Sequence, residues 1–173
     1  MRRPEALRTA CANLVALGVT VLLGWLLLFC AAPSLQAHEV PARVGIIAFA
    51  RPEGRVLRVV ARVPLEAMRD LDVRPRADGT LDLTALAPML PDAARLWIAD
   101  YLKLFEEGVE LRPNAVIHTQ LALPNDRSFT SYDSAYTHVT GAPLSASTEL
   151  RWTQALLDVV IEYPITSDRS HFT

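Results

Sequence analysis

The clearest strand signal lies in residues 55–63, which read Arg-Val-Leu-Arg-Val-Val-Ala-Arg-Val. Every second residue from Leu57 to Val63 is apolar, whereas Arg58 and Arg62 occupy alternate positions. Because successive side chains of a strand point to opposite faces, this pattern predicts one apolar face and one arginine-bearing face. We therefore expect the apolar face to be buried and the arginines to face water.

Three further strands surround this one in the sequence. A β-branched run at residues 43–50 precedes it, and Arg51-Pro52-Glu53-Gly54 predicts a four-residue turn that joins the two in a hairpin. Strands are also predicted at residues 115–123 and from about 150 to 163, because apolar residues alternate along both.

Two segments carry helical periodicity. Residues 92–107 have apolar side chains at spacings of three and four, including Trp97, Tyr101 and Phe105. This spacing predicts an amphipathic helix whose aromatic stripe belongs to the core. A second helix is predicted within residues 127–140 by the same spacing.

These elements predict the fold class. They give four or five strands, two or three helices and mostly hairpin connections, which is typical of an α+β domain built on a small antiparallel sheet or sandwich. Residues 167–173 show neither a strand pattern nor a polar tail. We therefore expect this domain to be truncated at its C-terminus.

The N-terminal segment predicts export. Residues 9–37 contain no charged side chain, arginines precede them, and the small residue Ala37 ends the segment. This is the order of a signal peptide, so we predict cleavage between Ala37 and His38. The alternative is an uncleaved transmembrane anchor, since the apolar stretch approaches the ~20 residues that span a bilayer. In both cases residues 38–173 lie outside the inner membrane, as a periplasmic or membrane-anchored domain.

Composition excludes several functions. Cys11 and Cys30 both precede residue 38, so no disulfide braces residues 38–173. Those residues hold 14 Lys and Arg against 18 Asp and Glu, and such an acidic balance offers no basic face to a nucleic acid. No Gly-x-Ser-x-Gly, Cys-x-x-Cys or phosphate-cradling glycine loop occurs. We therefore predict a protein that is not an enzyme.

One stretch contains the residue types of a hydrolase. Ser131, Asp133, Ser134 and His138 lie within eight positions of one another. A catalytic triad is a three-dimensional arrangement, and this stretch lacks the strand-turn-helix elbow that presents a nucleophilic serine. A hydrolase is therefore a distant alternative.

Several informative strings of residues are distributed over residues 38–173. They are His38-Glu39-Val40-Pro41-Ala42, Arg62-Val63-Pro64-Leu65-Glu66, Leu96-Trp97-Ile98-Ala99-Asp100-Tyr101, Pro124-Asn125-Asp126-Arg127-Ser128-Phe129 with Tyr132-Asp133, and Gln154-Ala155-Leu156-Leu157-Asp158 through Glu162-Tyr163-Pro164. Together they resemble the HupE/UreJ family of bacterial membrane proteins, in the long form that carries an exported domain ahead of its membrane helices.

The resemblance implies a function. Such proteins are associated with hydrogenase and urease accessory systems, which implies nickel or another transition metal at the membrane. The family's multi-helix membrane portion does not occur in this sequence. We therefore predict a non-enzymatic exported domain that assists the handling or transport of a metal ion or small solute, with that membrane portion as its partner.

A metal site at the mature N-terminus is the alternative. Cleavage after Ala37 gives His38 a free α-amine beside its imidazole, a nitrogen pair that suits copper or nickel when another imidazole joins it. The candidate partners are His118, on the outward face of its strand, and His138, with Glu39 as an oxygen donor. The protein is then a free periplasmic metal-binding protein. Scattered histidines without a His-x-x-x-His pair are more typical of side chains that are solvated or satisfied locally.

The N-terminal prediction is tested by mass spectrometry of the exported protein, followed by titration of the same sample with copper and nickel. The expected start is His38. Tight stoichiometric binding that is lost in His38→Ala supports the metal site, because the substitution removes the imidazole and leaves the amine. Unchanged affinity in that variant contradicts it.

Overall fold

A four-stranded antiparallel sheet forms the centre of the domain. The computed structural model describes residues 45–68, 71, 73 and 75–173. Its strands are β1 (Ile47–Glu53), β2 (Val56–Pro64), β3 (Leu104–Glu106), β4 (Val109–Leu111), β5 (Ala115–Ala122) and β6 (Leu156–Pro164). The sheet has the order β1-β2-β6-β5, and β3 and β4 form a separate hairpin. The predicted α+β class with a mostly antiparallel sheet is confirmed.

Residues 83–99 form a continuous but irregular helical segment. It consists of α1 (Leu83–Leu86), a 3-10 turn (Ala87–Met89), α2 (Leu90–Ala94) and a π-helical turn (Arg95–Ala99). The Asp82 side chain caps its start by accepting hydrogen bonds from two backbone N–H groups of the first turn, at 3.1 and 3.2 Å. Pro88 and Pro91 have no N–H to donate, and they lie where the hydrogen-bonding pattern changes.

The helix predicted over residues 92–107 is wrong at both ends. The helical segment begins nine residues earlier, and residues 104–106 belong to β3. Glu107 and Gly108 have φ values of 49° and 81° and turn the chain into β4, as both central residues of a tight hairpin turn do. Tyr101, predicted as core, is 72% exposed because the helix ends before it.

The other predicted elements are confirmed in type, with shifted ends. The predicted hairpin is present, but Gly54 and Arg55 alone separate β1 from β2. The strand predicted from about residue 150 begins at Leu156, after a 3-10 turn. The helix predicted within residues 127–140 is α3 (Tyr132–Val139), which Ser131 caps by accepting a hydrogen bond from the Ser134 N–H.

Both faces of the central strands are buried. One face packs against the helical segment, and its strand residues are Leu57, Val59, Ala61, Val63, Leu157, Val159, Ile161 and Tyr163. On the other face, Val60 and Val160 contact side chains of α3 and of Phe129. The expectation that Arg62 faces water is therefore wrong, since its side chain lies under α3 and the preceding loop and the residue is 5% exposed.

The C-terminal residues pair with β3. Phe172 forms a bridge with Glu106, and Phe105 and Thr173 exchange both backbone hydrogen bonds, at 2.7 and 3.1 Å. The buried carboxylate of Glu106 also accepts hydrogen bonds from the backbone N–H groups of Thr166 and Ser167. Residues 167–173 thus have a strand partner although their sequence shows no strand pattern, and the partner was missed because residues 104–106 were predicted as helix.

In the part of the chain that the structure describes, no helix is both long enough and apolar enough to cross a bilayer. The predicted signal or anchor, residues 1–37, and the candidate ligands His38 and Glu39 lie outside that part. The export and cleavage predictions therefore stay predictions.

Candidate functional site

A buried ion pair connects the two central strands. Arg62 of β2 and Asp158 of β6 are direct partners in the strand register. The Arg62 guanidinium donates from Nε to Oδ1 of Asp158 at 2.7 Å and from Nη2 to Oδ2 at 2.6 Å. This two-point geometry is the strongest form of an arginine–carboxylate contact. Asp158 is fully buried, so the pair is held away from water.

The loop after β5 provides further hydrogen-bond acceptors for the guanidinium. The Asp126 carboxylate accepts a hydrogen bond from Nη2 of Arg62 at 2.7 Å, and the Asp126 carbonyl accepts one from Nη1 at 3.1 Å. Ser128 donates both its N–H and its hydroxyl to the same carboxylate, which fixes the loop. The guanidinium lies 4.2 Å from the ring centroid of Phe129, a cation–π contact.

Helix α3 adds an imidazole to this site. His138 Nε2 lies 3.1 Å from Oδ2 of Asp158, and its Nδ1 lies 3.7 Å from Oδ2 of Asp126. Gln120 of β5 donates from Nε2 to the His138 carbonyl at 3.2 Å. Arg62, Gln120, Asp126, Ser128, His138 and Asp158 together are called the Arg62 cluster below.

The cluster shifts the pKa values of its charged members. Burial lowers the pKa of Arg62, but the hydrogen bonds to Asp158 and Asp126 outweigh it, so the pKa is raised. Burial raises the pKa of Asp158, and the two hydrogen bonds from Arg62 oppose that rise. Burial also acts to raise the pKa of Asp126, but hydrogen bonds from Ser128 and Arg62 outweigh it and lower the pKa to about 2.

Through these contacts the Arg62 cluster joins α3 to three strands of the sheet. The Arg62 guanidinium lies between the carboxylates of Asp126 and Asp158. It occupies the position that a metal cation would need in order to bind both carboxylates. Among the described residues, no group of three or more His, Cys, Asp or Glu side chains is placed to hold a metal ion. His138 and its carbonyl contact Asp158 and Gln120, so the cluster holds α3 on the sheet.

The structure places two of the three predicted metal ligands. His118 is exposed on β5 and lies opposite Val160 of β6. His138 is half-buried and contacts Asp158, as described above. His38 lies outside the described residues, so a site that combines it with His118 or His138 stays a prediction.

The residues of the hydrolase alternative are not brought together. Ser131 caps the start of α3, whereas His138 lies in its last turn, and seven residues of helix separate positions by about 10 Å. Asp133 forms an exposed ion pair with Arg51 at 2.6 Å. The three side chains thus have separate structural contacts.

A second feature is an apolar groove on the helical segment. It has a volume of about 600 Å³. Its lining consists of Leu71, Pro88, Met89, Asp92, Ala93, Leu96, Trp97 and Tyr101. The rings of Trp97 and Tyr101 stack with their centroids 6.5 Å apart. Met89, Leu96 and Tyr101 are 37%, 49% and 72% exposed. This set of residues is called the aromatic groove below.

Comparison with known proteins found no protein family, no curated protein and no solved structure that matches the chain. The HupE/UreJ resemblance therefore depends on the residue strings quoted above.

The buried ion pair predicts a large loss of folding stability when one of its partners is removed. Arg62→Met leaves the Asp158 carboxylate buried without the guanidinium that donates two hydrogen bonds to it, and removing one partner of a buried ion pair lowers the free energy of unfolding by about 3–5 kcal/mol. The double variant Arg62→Met/Asp158→Leu should recover much of this loss, because no isolated charge remains. Urea unfolding measures both.

Arg58→Met is the matched control for this experiment. Arg58 is on the same strand and face, but its side chain is 28% exposed in its ion pairs with Glu53 and Glu162. Exposed pairs contribute about 0–1 kcal/mol, so this variant should lose far less stability. Equal losses in Arg58→Met and Arg62→Met would contradict the assignment.

The lowered pKa of Asp126 predicts that its contribution to the free energy of unfolding depends on pH. Its pKa is about 2 in the folded protein and about 3.9 in an unfolded chain. The carboxylate therefore stabilises the fold fully above the unfolded pKa, and this contribution is lost as the pH falls toward 2. The difference in free energy of unfolding between wild type and Asp126→Asn should shrink between about pH 5 and pH 2. A difference that stays constant with pH would argue against the Arg62 and Ser128 contacts.

Proposed function

We propose that residues 38–173 form an exported, non-catalytic domain that docks on the membrane-helix portion of a HupE/UreJ-like system through the aromatic groove. In this role the domain assists the membrane portion in handling a metal ion of nickel type or a small solute. The observation that carries the proposal is the exposure of Met89, Leu96 and Tyr101 in one groove.

The chemistry of the groove supports a protein partner. Aromatic residues and Met are enriched at protein interfaces, and the residues that dominate binding energy are enriched in Trp and Tyr. An apolar groove on a helical surface suits an amphipathic helix that inserts side chains at helical spacing. A membrane protein with a short helix at the outer bilayer surface offers such a segment.

The Arg62 cluster supports a non-catalytic role. Its carboxylates, guanidinium and imidazole all contact one another, and Ser128 donates to Asp126. A general acid, base or nucleophile must instead reach a substrate atom. The cluster holds α3 on the face of β2 and β6 that is opposite the helical segment.

One observation favours the alternative of a free periplasmic metal-binding protein. The His118 side chain is exposed, so a metal ion in solution can reach its imidazole. The copper and nickel titration described above tests this candidate separately from the groove.

The docking proposal is tested by photo-cross-linking in cells. The full chain carries p-benzoylphenylalanine at position 96 and is expressed with an epitope-tagged HupE/UreJ-family membrane protein. The expected result is a cross-link to the tagged protein, reduced roughly tenfold by Tyr101→Ala, since a central aromatic contact contributes more than 1 kcal/mol.

Val109 supplies the matched control position. It is 69% exposed on the β3–β4 hairpin and does not line the groove. A cross-linker at position 109 should give little product. Equal yields from both positions, or no product from position 96, would refute the docking proposal.

A further inference from the structure

Strand β1 forms an edge of the sheet. Among the described residues it pairs with β2 on one side and with no strand on the other. Residues 46–50, at and just before its start, read Ile-Ile-Ala-Phe-Ala and carry no charge. Ile46 and Ile47 are 60% and 45% exposed, and Ala48 and Ala50 are exposed as well. An uncharged apolar edge of this kind is a template for pairing with another strand.

The two edges of the sheet differ in how they oppose such pairing. Strand β5, at the opposite edge, has a bulge between Val116 and His118, and a bulge bends a strand and interrupts its ladder. The register of β1 with β2 is continuous. The residues of β1 that oppose pairing, Arg51 and Pro52, lie at its hairpin end. Residues 46–50 therefore remain suited to accept a partner strand.

The hairpin turn shows which backbone groups of β1 face β2. Gly54 and Arg55 are the two residues between the paired positions Glu53 and Val56. The residues that flank such a two-residue turn exchange backbone hydrogen bonds with each other. Because this bonding alternates along an antiparallel pair, every second residue from Glu53 back to Ile47 directs its N–H and C=O toward β2.

The intervening residues direct their backbone groups to the free edge. They include Ala48 and Ala50, and Ile46 continues the alternation just before the strand. Pro52 is also one of them, and it has no N–H to present there, which is the position that proline tolerates in a sheet. Residues 46, 48 and 50 thus offer both donors and acceptors to a second strand.

We propose that two copies of this chain associate by antiparallel pairing of their β1 strands about a twofold axis at Ala48. In this register Ala48 lies opposite Ala48 of the second copy, and Ile46 lies opposite Ala50, so a large side chain meets a small one. The outward backbone groups of all three residues are then paired. An axis at Ala50 would instead place Pro52 opposite Ala48 and lose a hydrogen bond at each end.

The side chains of the other face also match in this register. Ile47 lies opposite Phe49 of the second copy, which gives an aromatic pair with a β-branched residue. Phe49 is half-buried and its ring centroid lies 6.3 Å from that of Phe129, so the new pair continues an apolar core. Arg51 lies opposite Gly45, and no like charges meet. The edge is therefore complementary to itself, as an interface with twofold symmetry requires.

The interface is separate from the proposed docking surface. No residue of the aromatic groove belongs to β1, so the paired domains carry two grooves. The dimer and the docking proposal can therefore fail independently.

Charge variants at the axis test the dimer. Sedimentation velocity of the exported protein should show a dimer with a dissociation constant on the order of 10 µM. Ala48→Lys and Ala48→Glu should each be monomeric, because like charges then lie directly opposite each other. A mixture of the two should dimerise again, since opposite charges meet, and this recovery shows that both variants are folded.

Ala146→Lys is the matched control, because it places the same charge at an exposed alanine outside β1. It should leave the dimer unchanged. A wild type that is monomeric at all concentrations, a dimer that persists in both Ala48 variants, or a mixture that stays monomeric would overturn the proposal.

Cysteine cross-linking tests the register, in chains whose Cys11 and Cys30 are replaced by Ser. Ala48→Cys should give a disulfide-linked dimer under mild oxidation, because directly opposite residues of a hydrogen-bonded pair have Cα atoms about 5.5 Å apart, within the range of a disulfide. Ala50→Cys should not, since the two copies of position 50 are displaced by about 14 Å along the strands. Equal cross-linking of both variants would refute the register.

Amide hydrogen exchange distinguishes a second copy from another part of the same chain. The N–H groups of Ala48 and Ala50 should exchange slowly in the wild-type dimer and rapidly in Ala48→Lys, which leaves them in water. Slow exchange in a monomer would mean that a segment outside the described residues pairs with β1, and would refute the dimer.

Discussion

The buried ion pair between Arg62 and Asp158 constrains the residues that surround it. Two charges lie on the central strands of a sheet whose faces are both covered, and the cost of removing them from water must be offset by direct contacts. The Arg62 guanidinium donates two hydrogen bonds to Asp158 and a further one to the Asp126 carboxylate. The loop after β5 and the imidazole of His138 are positioned by this requirement. Helix α3 is thereby fastened to the sheet by polar contacts as well as by its apolar side chains.

The two faces of the sheet therefore have different roles. One face holds the larger apolar core and carries the helical segment of residues 83–99. The other holds the Arg62 cluster and the smaller core beneath α3. The polar groups of the cluster hydrogen-bond to one another and join α3 to the sheet. The aromatic groove and a second cavity, which Leu83 and Leu90 line, both use residues of that segment.

The irregularity of the helical segment explains why both features occur there. Pro88 and Pro91 interrupt the regular backbone hydrogen bonds, and a π-helical turn follows before the helix ends at Ala99. A π-helical turn rotates the following side chains relative to a regular α-helix, and such turns are frequent at functional sites. Leu96 and Trp97 lie in this turn and line the groove. Tyr101 follows the helix end and extends outward, although its spacing matched a buried stripe.

The sequence by itself determined the strand alternation around Leu57, the existence of α3 and the α+β class, because these depend on local periodicity and turn residues. It also supplied the resemblance to HupE/UreJ proteins and the prediction of export, which concern residues partly outside the described structure. Only the tertiary structure decided that Arg62 is buried, since a strand pattern cannot show whether a helix from a distant part of the chain covers its second face. Arg62 and Asp158 are charged residues within otherwise apolar strands. A prediction of the strand register that placed them opposite each other would have indicated the ion pair. The groove and the cavity depend on where the helical segment ends and on contacts between distant residues, which no local pattern contains.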